Sequence, residues 1–428
     1  MLAGVLVLAG MPVGRWAFAR WEATGFAACY VVQSVCWLLG CRIVWRQRRC
    51  GTAALTGVLG IALACRLVVL FSPPLLSSDA YRYVWDGKLV VNGVNPFRYV
   101  PADPHLTGLR DERIYPLINR AASTHTIYPP AAQATFAAGY LLSGDSVLGV
   151  KVVMVACEIV AALALILALQ ASGQDSARIV LYAWSPLAIW EVAGGGHVDA
   201  VAVAAIALAL LAHVRQRPGW VGFWLALGFL TKFYPAVLLP LFWGRGEHQG
   251  RVRMLVVFLM TSALAYLPFL SVGSGILGYL PNYWREEGCV SGRRYFPLQL
   301  VRYVLPLPTM VYVAGAGAVV AAVTIRQRRR LERRWKALGA AGSDLVGSVL
   351  LLGTPHYPWY FLWLLPFACL APSGAWVYLL AGCGLQYLAG VGSEDPRRTL
   401  VVGAAVYLPV YLLLLAERRL LRSPVLGP

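Results

Sequence analysis

SSDAYRYVWDGKLVVNGVNPFRYV, Ser77 to Val100, is polar and aromatic and carries two carboxylates, Asp79 and Asp86. It follows directly on the apolar run Thr52 to Leu70, and further apolar segments come after it. Hydrocarbon admits few charges, so carboxylates gathered at the mouth of a membrane span mark a candidate functional site. The plainer reading is a solvated loop whose aromatics lie at the membrane interface. Length argues for the first, because the connection from residue 72 to residue 129 far exceeds the usual ~4–6 residues. Its aromatics and prolines point to short helices lying along the interface.

The surroundings fit a membrane protein. Of 428 residues, 59% are hydrophobic and 13% charged, the texture of an all-α polytopic membrane protein with room for about 11 to 13 transmembrane or half-membrane helices. The net charge of +18 would suggest nucleic acid in a soluble chain. Here the positives gather in short loops, at Arg42 to Arg49, Arg245 to Arg253, Arg326 to Lys336 and Arg418 to Arg422. Positive-inside orientation accounts for them, with the lipid bilayer as partner and no nucleic acid. The nine cysteines show neither metal-ligand spacing nor a disulfide framework. Met1 to Met11 is too short and lacks the basic flank of a signal peptide.

Charge parity then orders the chain. A first segment, Thr24 to Val44, reaches the basic cluster on the cytosolic side, and Ala53 to Phe71 leads out to the Asp79 loop. Pro130 to Leu142 is too short to cross, whereas Leu148 to Leu169 descends and Ile179 to Trp190 rises. Ala200 to Ala212 then returns. Trp220 to Trp243 and Val346 to Leu370 each need a break, at Thr231 to Pro235 and at Thr354 to Pro358, to keep their basic flanks on one side. Leu255 to Leu267 rises to an external loop, Gly278 to Gln299, and Val301 to Val323 comes back. Spans near Trp376 to Leu388 and Thr399 to Leu415 finish the chain. This path puts Asp79, Glu191, His197, Lys232, Arg293 and His356 toward one face.

An amphipathic substrate such as a lipid phosphate needs an apolar groove and cations for its head. Lys232, in apolar surroundings, is the first candidate; Arg293, Arg294 and His356 are further phosphate-side candidates, though each also fits a structural or surface role. Glu191, His197 and Asp199 flank three glycines, and a metal set drawn from them with Asp79 is possible in donor type; the reading adopted has no metal and no cofactor. One key carboxylate with several cations suits glycosyl transfer from a lipid phosphate. Asp79 would deprotonate an acceptor hydroxyl as it attacks the anomeric carbon, and the cations would stabilise the departing phosphate. No paired acid is needed, and single displacement inverts the anomeric centre.

With INR, TIYPP, the KFYP break and HYPWY added, the opening stretch resembles bacterial integral-membrane glycosyltransferases of the GT-C fold. It is most similar to polyprenyl-phosphate-mannose-dependent mannosyltransferases, glycosyltransferase family 87 and relatives, over about residues 52 to 370. The resemblance implies a metal-independent active site on the non-cytosolic face of a bacterial inner (plasma) membrane and an essential aspartate matching Asp79. It also implies a polyprenyl-phosphate sugar donor, mannose before other hexoses, and a glycolipid or glycan acceptor. Relatives carry two adjacent acids here; this chain has Ser78 before Asp79, so Asp79 acts alone or Asp86 helps. Tyr81, Arg82, Trp85, Asp86, Asn95, Tyr128, Gln133, Glu191, His197 and Asp199 are the sugar or acceptor-side candidates. The expected organisation is an N-terminal segment and basic loop over 1–51, a catalytic module over 52–370 with external loops 72–129 and 272–299, and C-terminal helices over 371–428. A pentosyl or aminosugar transferase, or a lipid-linked sugar transporter or flippase, is the alternative.

Overall fold

The computed structural model describes residues 1–47, 50–243, 248–334, 337–389 and 395–420. Arg48, Arg49, Arg245, Lys336 and Arg422 of the basic clusters lie outside the described residues. Among those described, every regular element is helical. Among the described residues six helices are long and apolar enough to cross a membrane, and four shorter apolar ones, Asp199–Val214, Pro218–Phe229, Leu338–Gly353 and Pro358–Leu370, accompany them. Exposed apolar side chains such as Val256, Leu259, Met260 and Leu264 suit an outer surface that meets lipid. The chain is an all-α, multi-pass membrane protein.

The first helix, α1 (Leu2–Arg46), departs from the expected single segment Thr24 to Val44. Its dihedrals leave the helical region at Trp21 and at Glu22, where φ is +50°. The arms then run antiparallel: the Cys29 thiol donates to Gly10 O at 3.3 Å and Gln33 Nε2 to Val7 O at 3.4 Å. Pro12, Arg15 and Arg20 interrupt the first arm's apolar pattern, which hid it from a reading by hydropathy.

The long connection is ordered by its own helix. Between α2 (Thr52–Leu70) and α4 (Pro130–Ser143) lie α3 (Asp79–Val91) and two short 3-10 turns, Pro104–Leu109 and Tyr115–Leu117. Helix α3 packs tightly on α4. Tyr83 stacks on Phe136 at 4.4 Å, and a Cβ on Gly87 would fall 2.3 Å from Phe136 O, so a glycine lets the backbones meet. Helix α5 (Val147–Ala171) is tied to α2 by a buried ion pair, with Arg66 Nε donating to Glu158 Oε2 at 2.9 Å. The same guanidinium donates to Ala62 O and Ala183 O.

The rising segment expected at Ile179 to Trp190 is not one helix. Short turns at Ser176–Ile179, Val180–Ala183 and Pro186–Ala188 lead into a π-helical turn, Ile189–Gly194, because Pro186 lacks the donor that continuity needs. Both expected breaks are present. Pro218–Phe229 stops before Lys232 and the chain resumes at Tyr234–Leu238. Leu338–Gly353 ends at Thr354, whose φ is +36°, and Pro358–Leu364 follows. The second break reverses the chain: Gly342 lies against Phe367 and Gly339 against Leu370 and Ala371, an antiparallel pairing.

The span expected at Val301 to Val323 begins later. Phe296–Arg302 is a separate short helix and Thr309–Arg333 is the span, with Pro306 and Pro308 between them. Upstream, His248–Tyr266 continues through 3-10 geometry, Leu267–Leu277, to Leu280–Glu286. At the joint, Tyr279 N donates to Thr126 O at 3.2 Å. Gly278 makes this contact possible with φ +54° and no Cβ, which would otherwise strike that carbonyl. The two connecting segments, 72–129 and 267–299, therefore meet.

Glu158→Ala strands Arg66 in the interior and is expected to cost about 3–5 kcal/mol in detergent unfolding, whereas Arg66→Met with Glu158→Leu recovers most of it. Equal losses in the single and double variants would show that the pair does not hold α2 to α5.

Candidate active site

Where those two connecting segments meet the two breaks, they line a cavity of about 490 Å³. Its lining includes Asp79, Tyr81, Arg82, Asn119, Arg120, Tyr128 and Lys232, with Tyr283, Glu287, Tyr357, Trp359 and Tyr360. Asp79 opens α3, where the helix N-terminus favours a negative charge. Its backbone N donates to Ser77 Oγ at 3.1 Å, and Asn119 Nδ2 donates to its Oδ1 at 3.2 Å. Burial pushes the Asp79 carboxyl above the ordinary range, while Lys232, the Asn119 hydrogen bond and Arg120 oppose the rise. The Asp79 side chain lines the cavity.

Lys232 sits in the first break. Its Nζ donates to Asp199 Oδ2 at 2.6 Å and lies 4.7 Å from the Tyr360 ring centroid, and Tyr234 OH donates to Asp199 Oδ1 at 3.3 Å. Asp199 is fully buried at the start of its helix. It reaches the site through Lys232 rather than by lining the cavity, so its part is to hold the ammonium. Glu191 Oε1 accepts from Tyr387 OH at 2.7 Å, and its Oε2 lies 3.3 Å from His197 Nε2. Among the described residues no three His, Cys, Asp or Glu side chains group as a metal site would require.

The other sequence candidates divide. Tyr81, Arg82 and Tyr128 line the cavity. Trp85, Asp86, Asn95, Gln133, Glu191, His197, Arg293, Arg294 and His356 are not among its lining residues. Asp86 is fully buried, 2.8 Å from Arg82 Nε and accepting from Thr126 Oγ1 at 2.6 Å. It braces Arg82 and does not face Asp79's space. Gln133 donates to Thr126 Oγ1 and Tyr128 O at 2.9 and 3.1 Å, and Trp85 packs on Tyr115 beneath the surface. Asn95 donates to Phe269 O and Ser271 Oγ, joining the two connecting segments. Arg293 and His356 are exposed. Arg294 is 2.7 Å from Glu287 Oε2, donates to Gly353 O at 3.0 Å, and so acts behind the wall.

The aromatic wall has a support that sequence reading missed. Tyr357 and Trp359 stack at 4.5 Å and 6°, and His197 stacks on Trp359 at 4.1 Å and 19°. Two parallel partners need both faces of the indole, so His197 backs the wall from inside. Asn119, Arg120 and Glu287 were also missed. The DERIYPLINR and REEG stretches show loop charges, but only their approach across the cavity gives them a role. Arg120 pairs with Glu286 on the opposite segment, and Tyr283 OH lies 2.8 Å from Tyr360 OH.

A family model described as alpha-(1->6)-mannopyranosyltransferase, N-terminal domain, matches residues 6–244. The chain belongs to that family. The match takes in α1 as well as Asp79 and Lys232. A search of curated proteins gave no match. Among solved structures the chain is similar to the archaeal oligosaccharyltransferase AglB from Archaeoglobus fulgidus, in complex with an inhibitory peptide and a dolichol-phosphate. Identity is 15%, coverage is 86% of this chain and 56% of that one, and the TM-score is 0.34. The chain thus spans little more than half of that protein, at a distance too great to support an argument. Family membership groups this membrane protein with alpha-(1->6)-mannopyranosyltransferases.

Asp199→Asn leaves the Lys232 ammonium without its counter-charge and is expected to destabilise the protein by about 3–5 kcal/mol. Adding Lys232→Met should restore much of that stability without activity. A double variant no more stable than Asp199→Asn would contradict a direct pair.

Proposed function

We propose that the mannosyltransferase moves mannose from a polyprenyl phosphate to a glycolipid or glycan hydroxyl, with Asp79 as general base. The observation carrying this reading is that Asp79 and Lys232 line one cavity. The acceptor O–H gives its proton to Asp79 as its oxygen attacks the anomeric carbon. The bond from that carbon to the phosphate oxygen breaks, and polyprenyl phosphate leaves with the electron pair. Lys232 stabilises the charge growing on it, and Arg120, also in the lining, adds a second cation. A phosphate monoester anion departs without a proton, so one carboxylate suffices. Single displacement inverts the configuration.

The basic clusters support a cavity on the non-cytosolic face, since positive charge tends to stay in the cytosol. For a bacterial chain this is the outer face of the plasma membrane. The division into residues 1–51, 52–370 and 371–428 enters the same proposal, with Lys232 and the Tyr357 to Tyr360 wall in the central part. The exposed Arg293 and His356 are left without a role at the phosphate.

Purified protein given polyprenyl-phosphate mannose and a membrane glycolipid extract is expected to form an inverted product, and Asp79→Asn to lower turnover by about 10²- to 10⁴-fold with donor binding kept. Undiminished turnover in Asp79→Asn would remove Asp79 as the base.

The pH dependence carries a sign. Asp79 must be ionised to act, so kcat/KM falls as pH drops through its pKa, and the acid midpoint should lie above the ~3.9 of a free aspartate. Asn119→Ala deletes a hydrogen bond to the ionised form and should move that midpoint to higher pH. A midpoint that stays put, or moves down, would assign the acid limb to another group.

A further inference from the structure

Three aromatic side chains after the second break line the cavity, Tyr357, Trp359 and Tyr360, and their faces are not equally free. Trp359 has Tyr357 parallel on one face and His197 nearly parallel on the other. Tyr360 is addressed by cations, with Lys232 Nζ 4.7 Å and the Arg294 guanidinium 5.9 Å from its ring centroid. Tyr357 ends the stack. Exposure rises along it, from His197 at 0% through Trp359 at 6% to the half-buried Tyr357.

The ring positions leave the second face of Tyr357 open. Tyr360 lies 6.4 Å from Tyr357 and 6.3 Å from Trp359, centroid to centroid. A ring capping the outer face of Tyr357 would be much farther from Trp359 than from Tyr357, so Tyr360 stands beside the stack. Among the described residues no other ring or cation lies over Tyr357.

What fits there is set by chemistry. A hexopyranose has a face of C–H bonds that packs flat on an aromatic ring, whereas a phosphate is drawn to an ammonium. Lys232, over the neighbouring Tyr360, holds the place proposed for the phosphate, and the donor's sugar is the ring joined directly to that phosphate. An aromatic ring held from behind by stacked partners keeps one orientation, so it can fix a sugar without first having to be ordered itself.

We infer that the free face of Tyr357 is the platform on which the donor's sugar ring stacks, with Trp359 and His197 as its backing. The inference rests on the transferase reading above and names where the sugar lies within it.

The test compares binding of polyprenyl-phosphate mannose and of polyprenyl phosphate to the full-length protein without acceptor, so that binding is read apart from transfer. Wild type should prefer the sugar-bearing lipid about three- to tenfold, the worth of one aromatic contact. Tyr357→Leu should erase that preference and Tyr357→Phe, which keeps the ring, should retain it. Both should bind polyprenyl phosphate as wild type does. A preference that survives Tyr357→Leu overturns the inference, and so does one lost equally in Tyr357→Phe, which would give the contact to the hydroxyl and not to the face. A higher acceptor KM in Tyr357→Leu with the donor preference intact would give the platform to the acceptor and overturn it too. Transfer by wild type is measured separately; its absence beside an intact preference would count against the proposed reaction and leave the platform standing.

Discussion

An ammonium inside a membrane protein is tolerable only against a counter-charge, and here that constraint falls on Lys232 and Asp199. Their 2.6 Å contact joins the first broken helix to the start of the helix Asp199–Val214. The desolvation cost of each ion is several kcal/mol, offset by their attraction and by the Tyr234 and Tyr360 contacts. Breaking the helix at Thr231 to Pro235 is what puts the ammonium at a turn, where a cavity can use it. Everything proposed for the phosphate depends on this pair remaining neutral overall while still presenting N–H donors to a ligand.

Around that pair the molecule is assembled from segments far apart in the chain. The segment near Tyr279 reaches Thr126, Arg120 pairs with Glu286, and Tyr283 meets Tyr360 across the cavity. Arg294 fastens the same segment to the second break through Gly353 O, and Thr354 Oγ1 donates back to Arg294 O at 2.7 Å. Two broken helices and two connecting segments thus share one space. A transferase needs such an arrangement, because donor and acceptor arrive separately and must meet with water held back.

Much of this was legible in the sequence because charge in apolar surroundings is rare. Asp79, Lys232, both breaks and the interfacial helix after Ser78 follow from hydropathy, proline and charge parity. What was not legible depends on partners and on which way neighbours point. Arg294 turns inward to Glu287 while Arg293 faces out, and Tyr357 lines the cavity while His356 does not. Asp86 looks like a helper for Asp79 by spacing, yet Arg82 and Thr126 occupy its carboxylate. Asp199 reads as a sugar ligand until its lysine is seen. The first arm of α1 was missed because Pro12 and two arginines weaken its pattern, although packing against the second arm holds it helical.

The reaction requires the leaving phosphate and the base to address one anomeric carbon from within the same space. A structure with a non-hydrolysable phosphonate analogue of polyprenyl-phosphate mannose tests this most directly. The account predicts phosphonate oxygens in hydrogen-bond contact with Lys232 Nζ and the sugar's anomeric carbon open toward Asp79. A phosphonate bound elsewhere, with Lys232 still engaged only by Asp199, would contradict it.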